Sequence, residues 1–532
     1  MAPVPVRLFS CLLLCAAAGW AATPPRIVLV GDSTVHDDGG WGPGFKLGFR
    51  PGTVVVLNHA RNGRSSKSFR DEGLWAPSLA DKPDYVILQF GHNDCPGKGP
   101  QRETVPATTY RANMIRYVEE TRAAGAQPVL ATSIVRRVFR PDGSFKPDAL
   151  VPYAEEIRKI AAEMKVPLID LYALTMAQAS ALGPVRTAYI GRTALDGTLD
   201  TTHLGPRGQR EIGLMAAREF ARLFPSMQPN LSGWLLPPVH MKVGPGADGQ
   251  FSSIMNALGR AVVADGQRLI LDLEPGTYRE RVLITPDHPR VTLRGRDAAS
   301  TVITYDLSAK AAGGTSVCAS VQVFAPEFEA ENVTFENSFG SGSQAVAILI
   351  HSDRAVFRNC RFLGWQDTLY AASGRQYFKD CYIEGHVDFI FGNATAVFDG
   401  CTIHSKGSGY ITAQSRLAPE QTTGYIFSNS KFTAAIDAKV FLGRPWRPYS
   451  RVVYLNCELG THIVPEGWNN WNNAANEKTA WYGEFQSKGP GAPQPGRRAA
   501  WAHQLTETEA AEFDPVKFLA GADNWTPALD PL

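Results

Sequence analysis

The sequence has no excess of charge of one sign: its 532 residues include 53 basic and 51 acidic ones, for a formal net charge of +2. That balance provides neither a general basic field for nucleic acid nor an acidic tail. The cysteines follow no zinc-type spacing, so we expect no metal, and nothing indicates a cofactor. Beyond the N-terminus no apolar run is long enough to span a bilayer. The composition, 44% hydrophobic and 20% charged, is globular, and the length indicates more than one domain.

Residues 1–22 have the layout of a secretory signal peptide. Arg7 supplies a positive charge, LFSCLLLCAAAG is apolar but too short for a stable membrane anchor, and GWAAT offers small residues for cleavage. Cys15 follows leucines rather than a small residue, which disfavours a lipid anchor. We therefore expect a secreted protein, extracellular or periplasmic, whose six remaining cysteines are in a compartment that permits disulfides.

Residues 24–225 alternate short apolar runs with amphipathic stretches. The runs RIVLVGDS, TVVVLNHA, DYVILQFGHND and QPVLATSIV read as strands, and TYRANMIRYVEETRAAG and PYAEEIRKIAAEMK have apolar residues at helical spacing. This alternation is typical of βαβ units. It predicts an α/β domain with a parallel sheet and helices on both faces.

A predicted linker, residues 226–240, lies in a stretch rich in proline and glycine, and a different pattern follows over 241–530. Short β-prone segments recur there: ENVTFEN at 331, RNCRFLG at 358, KDCYIEG at 379, DGCTIHS at 399, SNSKFTA at 428 and LNCELGT at 455. Their intervals of 27, 21, 20, 29 and 27 residues predict a solenoid of short strands, and here a right-handed parallel β-helix.

Three cysteines mark the same point of successive repeats. Cys360, Cys381 and Cys401 should therefore stack as a ladder of small buried side chains inside the solenoid. Neighbouring rungs lie within disulfide reach, so a Cys360–Cys381 disulfide stays open at this point.

Polar residues of the first half lie where predicted strands end. Ser33 follows the first strand, Gly63 lies in a loop after the second, Asn93 follows the third, and Asp200 and His203 stand near the end of the domain. A serine nucleophile needs a base, an orienting carboxylate and oxyanion donors, and each of these is available. The alternative is that Ser33 caps a helix, Asn93 belongs to a turn and His203 is a helix-cap residue.

The segments GDST, NGRS, GHND and DTTH, in this order, resemble the four sequence blocks of the SGNH (GDSL-type) hydrolases, and most closely those of rhamnogalacturonan acetylesterases. The resemblance implies a flavodoxin-like sheet in which Ser33 is the nucleophile, His203 the base and Asp200 the residue that orients it. It also implies that the amides of Ser33 and Gly63 and the side chain of Asn93 bind the oxyanion. Lipases and thioesterases share these blocks, so they define the reaction class better than the acyl group.

The second half contains two carboxylates separated by one coil. Asp367 in GWQDTLY and Asp388 in VDFIFGNA are 21 residues apart. They should lie on adjacent rungs, about 4.8 Å apart, where both cannot ionise freely. Gln344 and Gln366 offer neutral hydrogen-bond donors for an oxyanion. Arg444 offers a cation to pair with one carboxylate, and Trp446 offers a flat ring for a sugar. The alternative is that both aspartates cap turns, although an unpaired carboxylate in such apolar surroundings would be unfavourable.

The segments EPGTYRERV, VTLRG, VTFEN, GWQDTLY, VDFIFGNA and LGRPW, opened by GADGQFSSIMNAL and closed by GEFQSKGPGA, resemble the pectin methylesterases. The resemblance implies that Asp388 attacks the methyl-ester carbonyl, while Asp367 protonates the departing methanol and then activates water. The two glutamines would stabilise the charged intermediate. Arg444 would hold Asp388, and Trp446 would line the substrate groove.

Together the two resemblances imply a secreted esterase that acts on pectin, with a methylesterase half and an acetylesterase half. His386 and Trp365 stand where the second family often has threonine and tyrosine, and neither change removes a catalytic group. We expect a monomer that binds no nucleic acid and, after signal cleavage, no membrane. Two alternatives stay open: a carbohydrate-binding module without activity in the first half, and a pectate lyase or polygalacturonase in the second. Against a lyase, no acidic cluster for calcium is evident.

Overall fold

The computed structural model describes residues 23–146, 148–193, 199–244, 250–435 and 437–528. The predicted signal peptide lies outside these ranges, as does the GADG segment that opens the second resemblance. Within them, no helix combines the length and the apolar composition that a membrane crossing requires.

Strands and helices alternate through the first half, as the sequence pattern predicts. In chain order they are β1 Arg26–Gly31, α1 Gly42–Leu47, β2 Val55–Asn58, α2 Ser68–Asp71, α3 Trp75–Ala80, β3 Tyr85–Gln89, α4 Arg111–Ala123, β4 Gln127–Ala131, α5 Val151–Glu163, β5 Leu168–Ile169, α6 Leu171–Ala188, β6 Gly191–Thr193, β7 Leu199–Leu204 and α7 Pro206–Leu223. Strands β1 to β5 form a parallel sheet in the order β2-β1-β3-β4-β5, and β6 pairs with β7 in a separate antiparallel ribbon.

Alternation along β1 sends its side chains to two different cores. Val28 and Val30 pack with residues of α4 and α5, whereas Ile27 and Leu29 pack with residues of α1 and α7. Helices therefore cover both faces of the sheet, and the predicted flavodoxin-like α/β class is confirmed.

Short parallel strands dominate the second half. Its elements are β8 Val239–Val243, α8 Ile254–Arg260, β9 Leu269–Leu273, β10 Gly276–Arg279, β11 Val282–Ile284, β12 Val291–Gly295, β13 Thr301–Tyr305, α9 Ala309–Ala312, β14 Val321–Val323, β15 Glu329–Glu331, β16 Thr334–Asn337, β17 Ile348–His351, β18 Ala355–Arg358, β19 Arg361–Leu363, β20 Leu369–Ser373, β21 Arg375–Lys379, β22 Tyr382–Gly392, β23 Thr395–Asp399, β24 Thr402–Gln414, β25 Gly424–Ser428, β26 Lys431–Ala434, β27 Val440–Gly443, β28 Arg451–Leu455, β29 Glu458–Leu459, β30 Trp481–Phe485, β31 His503–Gln504, α10 Glu507–Ala511 and α11 Pro515–Ala520.

These strands coil into a parallel β-helix, which confirms the predicted solenoid. One face is the sheet β31-β30-β28-β25-β23-β21-β18-β15-β12-β9-β8. The other strands form two further faces, which β22 and β24 join because each of them is long enough to cross the bend between the faces. The pairs from β8 onward in the described residues are all parallel.

At one corner, each of several successive coils turns through a residue in the left-handed backbone region. The φ angles there lie between 49 and 66°, at Asn332, Asn359, Asp380, Gly400, Asn429 and Asn456. Glycine, asparagine and aspartate tolerate that region best. The side-chain amide of Asn359 also donates to the Asn332 amide oxygen of the preceding coil at 2.6 Å. The recurring segments of the sequence are therefore these corners together with the strands that follow them.

The residue after each corner points into the solenoid. Cys360, Cys381 and Cys401 occupy three of these positions and are buried in the main apolar cluster, so the predicted ladder is confirmed, and Cys457 extends it. All six cysteines in the described ranges are free thiols, and the disulfide that the spacing left open between Cys360 and Cys381 is absent. The Cys381 thiol instead lies 3.6 Å from a backbone carbonyl oxygen, to which it donates.

The segment between the halves is attached to both of them. The Ser232 amide donates to a carbonyl of the first half and the Gly233 amide to a carbonyl of the second, each at 2.9 Å. The ring of Trp234 lies between two guanidinium groups, with Arg210 of α7 at 5.9 Å and Arg290 of the β-helix at 4.3 Å from its centre. The predicted linker is thus an ordered part of the interface.

The C-terminal residues make a second connection. Helices α10 and α11 pack on the first face of the β-helix, where Asp523 forms ion pairs with Arg354 and Arg375. The chain then reaches α7 of the first half, and the Arg207 guanidinium donates to the Thr526 hydroxyl. Both side chains are buried.

Candidate active sites

A cleft of about 420 Å³ opens on the β-helix. It is lined by Thr315, Ser316, Gln344, Gln366, Asp367, Tyr370, Asp388, Phe391, Ala413, Arg444, Trp446 and Trp471. All six side chains that the sequence analysis singled out in this half are among them. The structure therefore brings these candidates together at one site.

The coil geometry places the two aspartates next to each other. The Asp367 amide donates to the Val387 carbonyl at 3.1 Å, and the pair Leu369 and Ile390 keeps the same 21-residue offset between β20 and β22. Both aspartates have left-handed backbones, with φ angles of 64° for Asp367 and 50° for Asp388. Aspartate is one of the few residue types that tolerate such angles.

Arg444, which directly follows β27 two coils further on, fixes the Asp388 carboxylate. Its Nε donates to Oδ1 at 2.9 Å and its Nη2 to Oδ2 at 2.6 Å, a bidentate pair. The guanidinium is itself held between the rings of Tyr410 and Trp471, with its carbon 3.8 Å from each ring centre. Cation–π contacts on both faces leave only the edge of the group free to bind the carboxylate.

The environments of the two carboxyl groups separate their protonation states. Burial, and next the charge on Asp388, raise the pKa of Asp367 to about 8. Burial also raises the pKa of Asp388 above its ordinary value, but the two hydrogen bonds and the charge of Arg444 oppose that rise. At neutral pH Asp367 therefore retains its proton, while the contacts with Arg444 favour the ionised form of Asp388.

Neutral donors and aromatic rings complete the cleft. Gln344 and Gln366 lie on neighbouring coils as a parallel bridge, so their side chains reach the cleft side by side. The Phe391 ring is 6.0 Å from that of Trp446 and stacks on that of Tyr370 at 4.2 Å. The lining of the cleft thus combines apolar rings with amide donors.

The first half contains a second constellation. His203 Nε2 lies 2.8 Å from the Ser33 Oγ, and His203 Nδ1 lies 2.7 Å from Asp200 Oδ2. The other carboxylate oxygen accepts from the backbone amides of Thr202 at 2.8 Å and His203 at 2.9 Å. Although burial acts against it, the hydrogen bonds from His203 and Thr202 hold the pKa of Asp200 below its ordinary value. The serine, imidazole and carboxylate are linked as a nucleophile, base and orienting acid require.

The predicted oxyanion donors lie at the same edge of the sheet. Ser33 follows β1, Gly63 follows β2 with a φ of 76°, and Asn93 follows β3. In the described part of the chain the amides of Ser33 and Gly63 donate to no protein group, so they are available to a ligand. The Asn93 side chain donates to the Arg64 carbonyl at 3.2 Å, which turns its amide toward the Gly63 loop.

Asp94 supports the loops around the second site, a role that the sequence analysis did not identify. Its buried carboxylate accepts from the Ser66 hydroxyl at 2.5 Å, from the Ser66 amide and from the Thr104 hydroxyl at 2.9 Å. These bonds tie the loop of Gly63 to the turn of Asn93. Burial dominates its environment and raises the pKa of Asp94 to about 7.

Two aromatic residues of the β-helix cleft were also missed. Tyr410 and Trp471 come from different coils, and only the folded chain brings them to Arg444. A weak signal was present for Trp471, since a tryptophan in the asparagine-rich segment GWNNWNN has no strand pattern of its own.

Comparison with known proteins identifies the two halves separately. The Pectinesterase family model matches residues 240–522, and the GDSL-like Lipase/Acylhydrolase family model matches residues 29–211. Pectinesterase 31 of Arabidopsis thaliana is 41% identical over 285 residues, which are 51% of this chain and 90% of that protein. The solved structure of a pectin methylesterase from carrot matches with a TM-score of 0.53 and 33% identity, covering 56% of this chain and 98% of that one.

The β-helix, its cleft and these matches define a carboxylic ester hydrolase. The chain belongs to the pectinesterase family, and it carries a GDSL-like domain before the pectinesterase region.

Proposed function

We propose that the β-helix cleft hydrolyses methyl esters of the galacturonate chain of pectin, releasing methanol. The observation that carries the proposal is the pair of buried carboxyl groups on adjacent coils, of which Asp388 is bound by Arg444, while burial raises the pKa of Asp367 to about 8. The Asp388 carboxylate attacks the ester carbonyl, and Gln344 and Gln366 donate to the oxyanion that forms. Asp367 gives its proton to the departing methoxide, which leaves as methanol.

The second step regenerates the cleft. Asp367, now a carboxylate, takes a proton from water as that water attacks the acyl group on Asp388. The bond between the acyl carbon and Asp388 breaks, galacturonate leaves, and Asp367 has its proton again. Trp446 supplies a ring surface for the sugar beside the carboxylates.

The first half is proposed to remove acetyl esters from the same polymer. What supports this is the continuous contact from Ser33 through His203 to Asp200, with two backbone amides free to bind an oxyanion. The Ser33 oxygen attacks the acetyl carbonyl as His203 accepts its proton, and His203 then returns that proton to the sugar oxygen, which leaves as a hydroxyl group. Water that gives a proton to His203 next cleaves the acyl-serine, which releases acetate and restores the Ser33 hydroxyl. We divide the chain into a signal peptide at 1–22, an esterase domain at 24–225, a linker at 226–240 and a methylesterase domain at 241–530, and we propose that the mature protein is secreted.

A single tube tests both sites. The purified protein is incubated with acetylated, methylated pectin, and acetate and methanol are measured together. Ser33→Ala should end acetate release and leave methanol release intact. Asp388→Asn should end methanol release and leave acetate release intact. Asparagine is a better replacement than alanine here because it tolerates the left-handed backbone that Asp388 adopts.

Each variant is the other's folding control. Methanol from Asp388→Asn at the wild-type rate would refute the assignment of the cleft. Methanol without acetate from the wild-type protein would make the first half a binding module or an esterase for another acyl group. Unsaturated products that absorb ultraviolet light would indicate a lyase instead.

A further inference from the structure

Arg137 is a buried cation in the first half whose contacts lie with the main chain. It follows β4, and only 8% of it is exposed. Its Nη2 donates to the carbonyls of Asp200 at 3.0 Å and His203 at 2.6 Å, and its Nη1 to the carbonyl of Thr202 at 3.3 Å. Its own backbone amide donates to the Thr201 carbonyl at 2.8 Å. Four successive carbonyls, from Asp200 to His203, therefore bind one residue.

The segment that Arg137 holds has few other backbone contacts outside its own ribbon, the one at its end being the Leu204 amide, which donates to the Gly39 carbonyl at 2.8 Å. It lies in β7, which within the described residues pairs with β6 and stands apart from the five-stranded sheet. Two-stranded ribbons of this size are marginal by themselves. The side chains of Asp200 and His203 nevertheless meet at 2.7 Å, and His203 reaches Ser33 at 2.8 Å. Something outside the ribbon must fix the main chain that carries them.

We propose that Arg137 is the positioning residue of the esterase site in the first half: its planar guanidinium and its amide lock the Asp200–His203 segment so that the imidazole meets Ser33. The inference rests on the proposed function of that half. An arginine suits the task because its fixed fork of donors satisfies several carbonyls at once, which a single ammonium group does not.

The buried charge serves the same site. Burial lowers the pKa of Arg137 to about 10, so the group is still a cation at neutral pH. A cation among these carbonyls favours the ionised form of the nearby Asp200, the form that orients an imidazole. Leaving an arginine buried without a bidentate carboxylate is unfavourable. A buried arginine beside Ser33, His203 and Asp200 is explained if the geometry of the Asp200–His203 segment depends on that arginine.

The test compares Arg137→Gln and Arg137→Lys with Arg140→Gln, a control on the exposed hairpin nearby, in the full chain. For Arg137→Gln, kcat for acetate release should fall by about 10- to 100-fold, since a misplacement near 1 Å costs about that much. KM should change less than 3-fold by the same reasoning, since no substrate contact is removed. Arg137→Lys should recover part of the loss, and added methylguanidine should raise the rate of Arg137→Gln. Arg140→Gln and all methanol rates should match the wild type.

A second readout does not need acetylated polymer. Labelling of Ser33 by a fluorophosphonate should slow in parallel with kcat. Wild-type rates of acetate release or labelling in Arg137→Gln would overturn the inference. So would a loss that follows a lower Tm of the first half and responds to neither lysine nor methylguanidine, because that result describes a purely structural residue. A wild-type protein that neither releases acetate nor reacts with the probe would overturn the proposed function of this half together with the inference.

Discussion

Replacing Asp367 by asparagine should stabilise the protein while it ends methanol release. Burial and the neighbouring carboxylate raise the pKa of Asp367 from 3.8 to about 8. The folded state therefore keeps a proton that the unfolded chain releases, and wild-type stability falls as pH rises from 3.8 toward 8. The slope is about 1.4 kcal/mol per pH unit, so at pH 7 the wild type loses on the order of 4 kcal/mol, and near pH 4 almost nothing. Asparagine carries no such penalty and tolerates the left-handed backbone of this position.

Calorimetry of the two proteins at pH 4, 5.5 and 7 measures this difference. The β-helix of Asp367→Asn should melt several degrees above the wild type at pH 7, since about 2 °C accompanies each kcal/mol in a domain this large. The gain should shrink through pH 5.5 and vanish near pH 4. Asp380→Asn, at an exposed left-handed corner, is the matched control and should show no such trend. A gain of the same size at every pH, or a loss at pH 7, would refute the assignment of the proton to Asp367.

Two further outcomes follow from the same contacts. Methanol release by the wild type should decline as pH rises through about 8, because Asp367 then loses the proton that the leaving group needs; the pH dependence of kcat measures it, and a rate that keeps rising to pH 10 would contradict it. Trp234→Ala removes the ring between Arg210 and Arg290 and should separate the melting of the two halves in calorimetry, whereas an unchanged single transition would show that other contacts suffice.

Much of the fold can be predicted from the sequence because particular backbone conformations restrict which residue types can occupy them. A left-handed corner admits few residue types, so asparagine, aspartate or glycine recurs at Asn332, Asn359, Asp380 and Gly400 even though the coils differ in length. Parallel strands end at one edge of a sheet, and for that reason polar residues after three separate strands, Ser33 among them, meet at one place. The first feature depends on local backbone geometry, and the second on the common direction of strands in a parallel sheet.

Contacts between distant coils impose no such restriction on the local sequence. Tyr410 and Trp471 contact Arg444 only in the folded chain, where the path of the loops between strands brings different coils together. The same holds for Arg137, whose sequence neighbours say nothing of the carbonyls it binds. Proline and glycine in the segment around Trp234 predict a break between domains. They did not reveal that the segment packs on both halves, because that depends on surfaces formed elsewhere.

Under the proposed function of both halves, the ordered connection affects how the two sites act on one polymer. A flexible linker would let either site sample many positions, and its length would set the effective concentration of the second site. Here Trp234 on one side and the contact between Arg207 and Thr526 on the other hold the halves together at two separate points. The separation of Ser33 from Asp388 is then a property of the fold. We expect a polymer long enough to span that separation to occupy both sites at once, and a short fragment to be processed by one site at a time. Any advantage of the fusion should therefore depend on chain length of the substrate and disappear for short oligosaccharides.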